Sequence, residues 1–169
     1  MKNKFLLIGV VVIVLAIVGF IVFKQSNTPP QNPPAGNPTN FNLIFKYGVG
    51  AENELNTFDQ TYTKDMVMDP SVTTNLKLSD SELTGIYQKI KDLKLFDEST
   101  EPIEGNMYVT PCSSYYLKVQ IDSTQKELSW NNCRGKISDK FQQFTTYIIQ
   151  IIESKEEYKK LPTPKGGYL

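Results

Sequence analysis

The chain has 169 residues, of which 40% are hydrophobic and 21% charged, and its 18 Lys+Arg balance 18 Asp+Glu. That composition fits one modest folded domain and excludes a disordered, collagen-like or multi-span membrane chain, each of which needs a stronger bias. The absence of histidine removes Ser-His-Asp and Cys-His nucleophiles, histidine-ligated zinc and an imidazole pH switch.

Phe5 to Phe23 is free of charge and dominated by Val, Ile and Leu. As a helix it would run roughly 28 Å, the thickness of a bilayer core. It is longer than the apolar region of a cleaved signal, and Ile21, Val22 and Phe23 run straight into Lys24 with no small-residue cleavage site. The expectation is a retained single-pass anchor over residues 1–24, contacting the membrane through 5–23. Lys2 and Lys4 precede the span and only Lys24 directly follows it, which favours a cytoplasmic N-terminus and an extracytoplasmic remainder. Residues 25–40 hold five of the ten prolines and no charge, the composition of an extended spacer. Once the three lysines around the span are set aside the chain is slightly acidic, which argues against nucleic acid as a partner.

From Phe41 the pattern alternates. Phe41, Leu43, Phe45, Tyr47 and Val49 share one face, predicting a strand that ends at Gly48-Val49-Gly50. Further extended stretches are expected around Phe58–Met68 and Thr73–Leu78, divided by a turn at Asp69-Pro70. The period then changes. Ser79-Asp80-Ser81-Glu82 matches a capping box, and Leu83, Ile86, Tyr87, Ile90 and Leu93 form a helical stripe behind it. An acidic, irregular stretch follows Phe96. Tyr115, Leu117, Val119 and Ile121 then alternate again, turn through Asp122–Gln125, and return over Lys126–Trp130 as a hairpin. Ile137, Phe141, Phe144, Ile148, Ile151 and Ile152 mark a last amphipathic helix from about Ser138, and Pro162 and Pro164 close any helical tail.

The order strands, helix, hairpin, helix predicts an α+β domain over 41–157, an antiparallel sheet with both helices on one face, followed by a flexible tail over 158–169. Cys112 precedes the hairpin and Cys133 follows it, so folding the hairpin brings them together. In an oxidising exterior they form a structural disulfide worth about 3 kcal/mol.

No complete catalytic set emerges. Gly48-Val49-Gly50-Ala51-Glu52-Asn53 lacks the third glycine of a dinucleotide loop, and Thr61-Tyr62-Thr63-Lys64 puts threonine where a serine–lysine hydrolase needs serine. The acidic loop Asp97–Glu104 has Pro102 where an EF-hand requires glycine, so no metal and no cofactor is expected. No acceptor for N-glycosylation survives, since Pro38 blocks Asn37-Pro38-Thr39, which suits a prokaryotic exported protein.

The functional reading is a membrane-tethered extracytoplasmic domain that binds an unidentified ligand or protein through a polar edge of Asn53, Asn56, Thr57, Lys64 and Asp65. The alternative is a histidine-free hydrolase acting on cell-wall or glycan material through carboxylates of the same segment, drawn from Glu52, Glu54, Asp59, Asp65 and Asp69. The runs Lys46-Tyr47-Gly48-Val49-Gly50-Ala51, Asn53-Glu54-Leu55-Asn56-Thr57-Phe58 and Thr61-Tyr62-Thr63-Lys64-Asp65-Met66, with the Leu78-Ser79 helix start and the Tyr158–Leu169 tail, resemble uncharacterised exported proteins of bacteria and archaea. The resemblance implies an exported single domain and carries no catalytic residue.

Overall fold

A computed structural model describes residues 38, 40–104 and 108–168. The anchor expected over 5–23, and nearly all of the spacer, lie outside them. Among the described residues no helix is long and apolar enough to cross a membrane.

The domain is α+β. Strands β1 (Phe41–Val49), β2 (Asn53–Asn56), β3 (Thr61–Met66) and β4 (Asp69–Asn75) form a meander, and β6 (Ser113–Ile121) with β7 (Thr124–Asn131) adds a hairpin against β1. All pairs are antiparallel, in the order β4-β3-β2-β1-β6-β7. A two-stranded ribbon of β5 (Ile103–Glu104) and β8 (Gly135–Lys136) stands apart. There are two long helices, α1 (Asp80–Asp92), followed by a 3-10 turn at Leu95–Asp97, and α2 (Asp139–Ser154), followed by the short α3 (Glu156–Lys159).

Register explains which side chains form the core. Phe45 faces Leu55 on one side and Leu117 on the other, Leu55 faces Tyr62, and Leu117 faces Leu128, so one sheet face is apolar throughout. The helix stripes cover it: Ile86 and Ile90 of α1 and Phe141, Phe144, Ile148 and Ile152 of α2 are buried with Leu43, Phe45, Leu55 and Val119. Aromatic rings lock the centre. Phe144 meets Phe45 edge-on at 5.8 Å, and Trp130 stacks between Phe141 at 4.5 Å and Tyr115 at 5.4 Å. The opposite sheet face is polar, carrying the cross-strand ion pairs Lys46–Glu54 (2.9 Å) and Lys118–Glu127 (3.3 Å).

Both helix starts follow the sequence. Ser79 accepts from the Glu82 amide while the Glu82 carboxylate accepts from the Ser79 amide at 2.7 Å, the reciprocal box. Ser138 caps α2 through the Phe141 amide at 3.4 Å. Glu82 also takes the Lys155 ammonium at 2.6 Å, tying the start of α1 to the end of α2. Burial pushes the Glu82 carboxyl up, but the hydrogen bonds from Lys155 and Ser79 outweigh it and hold the group below its ordinary value.

The strand boundaries differ from expectation in the first half. The stretch expected around Phe58–Met68 holds one strand, β3, which starts only at Thr61; a separate strand, β2, precedes it at Asn53–Asn56, and residues 57–60 turn between the two. β2 is four residues long with one buried side chain, too short for alternation to stand out. The reversal placed at Asp69-Pro70 occurs one step earlier, at Val67-Met68, and both Asp69 and Pro70 belong to β4. Proline is tolerated there because β4 is an edge strand.

Cys112 and Cys133 are bridged, 21 residues apart, at the ends of the β6–β7 hairpin. The turn between the strands is tighter than Asp122–Gln125, since β7 already starts at Thr124 and Asp122 adopts the left-handed region at φ +53°.

Candidate functional site

The five residues of the expected polar edge fall into two groups at opposite ends of β2. Asn56 and Thr57 build the β2–β3 turn. The Asn56 carbonyl oxygen accepts from the Phe58 and Asp59 amides at 3.0 and 3.3 Å, and its amide donates to Asp59 at 2.8 Å. Thr57 is buried and latches the turn to β1: its hydroxyl accepts from the Leu43 amide at 2.8 Å, and its own amide donates to the Leu43 carbonyl at 3.0 Å. Thr57 also lines a cleft of about 190 Å³ against the start of α1, with Asn42, Gln60, Lys77 and Asp80 around it.

Asn53, Lys64 and Asp65 gather at the other end. The Asn53 carbonyl oxygen accepts from the Asp65 amide at 3.1 Å and from the Tyr62 hydroxyl at 3.3 Å, while its amide group donates to the Tyr47 carbonyl at 3.2 Å. Beneath them the Tyr47 and Tyr62 hydroxyls share a hydrogen bond at 2.7 Å. Burial raises the Tyr47 phenol to about 12 and drives that of Tyr62 well above its ordinary value.

Around Asp65 the β3–β4 register shifts between Lys64 and Met66, a bulge. Val67 then adopts φ +62°, the left-handed region that a β-branched side chain rarely enters. Asp65 supports this turn directly, since one carboxylate oxygen accepts from the Val67 amide at 2.8 Å. The other carboxylate oxygen accepts from the Tyr168 hydroxyl.

Residues 158–168, expected as a flexible tail, lie along this hairpin. Lys64 donates to the Pro162 carbonyl at 3.0 Å and sits 4.8 Å from the centre of the Tyr158 ring. Lys165 forms a parallel bridge with Val67, and its ammonium pairs with Asp69 at 3.3 Å. Next to it Gly166, at φ +76°, is pressed against the Met68 side chain so closely that a Cβ would collide with its sulfur. The Asp65 carboxylate beside it, with some burial, raises the Tyr168 phenol to about 12. The expected boundary at 157/158 falls inside α3.

Val67, Pro162, Lys165 and Tyr168 thus complete a site of which the sequence signalled Asn53, Lys64 and Asp65 as a binding edge and Asp69 as a candidate carboxylate. Contacts that bridge 98 to 103 residues leave no local pattern. The one available sign was two prolines and two glycines in a stretch too short for another element.

The acidic segment is dispersed chemically. Glu54 pairs with Lys46, Asp59 with Asn56, Asp65 with Tyr168 and Val67, and Asp69 with Lys165. In the loop after the 3-10 turn, Glu98 pairs with Lys140 at 2.6 Å. Among the described residues no three acidic or cysteine side chains are grouped to hold a metal ion. The chain matches no protein-family model and no curated protein.

Proposed function

We propose that the chain is a membrane-tethered extracytoplasmic domain that binds a ligand or protein at the β3–β4 edge and performs no catalysis there. One observation carries this reading: the edge engages a stretch of chain through a main-chain bridge, a carbonyl, a phenol and an ammonium. Lys64, Asp65, Asp69 and the Val67 main chain are thereby committed to holding that stretch. A carboxylate-dependent hydrolase would instead need two carboxyl groups across a common gap, and four of the five carboxylates of this segment, Glu54, Asp59, Asp65 and Asp69, have separate partners. The cysteine bridge supports an oxidising compartment. The charge-free Phe5–Phe23 stretch supports the tether.

Two measurements test the reading. The purified full chain incubated with wall fragments, glycans and peptides is expected to bind stoichiometrically without turnover. Turnover that disappears in Asp65→Asn or Glu54→Gln would replace binding by hydrolysis. A reporter enzyme fused behind Leu169 is expected to be active only outside the cytoplasm.

A further inference from the structure

We infer that the β3–β4 hairpin recognises a peptide segment that presents a basic side chain three residues before a tyrosine, and that residues 162–168 occupy this site in cis as a built-in pseudo-ligand. The inference rests on the binding reading above and names the chemistry of the ligand.

The receptor half is shaped in part by bonds that do not involve the tail. Asn53 fixes the Asp65 amide, Asp65 fixes the Val67 amide, and the bulge with its left-handed Val67 turns main-chain groups outward at the point where Lys165 pairs. Strain of this kind costs on the order of 1 kcal/mol and collects where a surface is shaped for a ligand. Two carboxylates face outward, Asp65 toward a phenol and Asp69 toward an ammonium, while Lys64 offers a donor to a peptide carbonyl. Together with the Val67 bridge those points read a direction, a charge and an aromatic hydroxyl.

The ligand half is held loosely. Pro162, Thr163, Lys165, Gly166, Gly167 and Tyr168 are all exposed, and the Lys165–Asp69 pair is 78% and 45% exposed at its two side chains. A segment that buries so little apolar surface opens at small free-energy cost. It stays in place because tethering gives it a high effective concentration, so a free peptide must compete with it.

The test uses the full chain and the peptide Pro-Thr-Pro-Lys-Gly-Gly-Tyr-Leu carrying a fluorophore. The double variant Lys165→Ala/Tyr168→Phe, which loosens the tail at exposed positions, is expected to bind the peptide about tenfold more tightly than the wild type. Its amide shifts should be confined to Lys64–Asp69 and the tail, and adding Asp65→Asn should abolish the gain. With the wild type, millimolar peptide should move the Gly166 and Gly167 amide signals as the tail is displaced. Equal affinity for the variant and the wild type, equal binding of a scrambled peptide, shifts elsewhere on the domain, or unmoved Gly166 and Gly167 signals would each overturn the inference. Such a failure leaves the location and the screen for other ligands standing, because the fusion and turnover measurements read those separately.

Discussion

Thr145 sits on the buried stripe of α2, and its hydroxyl, like the Trp130 indole N–H, has no hydrogen-bond partner among the described residues. An unpaired buried hydroxyl costs about 1 kcal/mol, and valine has nearly the same shape, so Thr145→Val is expected to raise the unfolding free energy by about 1 kcal/mol, read as a higher urea midpoint. Helical spacing places residue 145 four after Phe141, on the buried stripe, but a threonine there gives no apolar signal in the sequence. The Tyr47–Tyr62 pair makes a pH prediction. Both phenols have folded values above the ordinary 10.0, so their contribution is intact below pH 10 and is lost as pH rises toward 12, when the unfolded chain releases protons that the folded one keeps. Thermal melts followed by circular dichroism should show this alkaline loss, reduced in Tyr47→Phe.

At the scale of elements, the clamp between α1 and α2 runs through one carboxylate. Glu82 has a lowered folded value, so the stability it supplies is present above its ordinary 4.5 and fades as pH falls below it. Glu82→Gln is expected to cost about 1 kcal/mol at neutral pH, since it weakens both the capping box and the contact with Lys155, and to flatten the acid side of the stability profile. The hairpin is governed by the cysteine bridge. Reduction of Cys112–Cys133 should lower stability by about 3 kcal/mol in the chain-entropy account of a loop of this length, read as a lower urea midpoint with dithiothreitol. Periodicity located β1, the β6–β7 hairpin, α1 and α2 because each is long enough to show its period and, for the helices, carries a capping serine. It gives no sign of β2 and displaces the next reversal, because β2 has four residues and the turn at Val67 uses no glycine or asparagine.

For the molecule as a whole, the polar edge divides the work. Asn56 and Thr57 hold the β2–β3 turn to β1, whereas Asn53, Lys64 and Asp65 hold the segment that returns from the far end of the domain. Asp65→Asn should therefore free the tail and leave the core intact. The expected readout is unchanged near-ultraviolet circular dichroism with faster hydrogen exchange at Lys165 and Gly166. Thr57→Ala has the opposite signature, a stability loss of about 1–2 kcal/mol from a buried latch, with no change at the tail.

The amino-acid order by itself determined the α+β class, the two helices with their starts, the covered sheet face and the pairing of the cysteines. Each of these follows from short-range periodicity, caps and the return of one hairpin. Only the tertiary structure decided that Lys64 and Asp65 meet Pro162 and Tyr168, and that Asn53 stands behind them. Those contacts join positions about a hundred residues apart, and they arise because α2 crosses the sheet and α3 returns the chain to its β4 edge. Spacing along a sequence carries no record of such a return path.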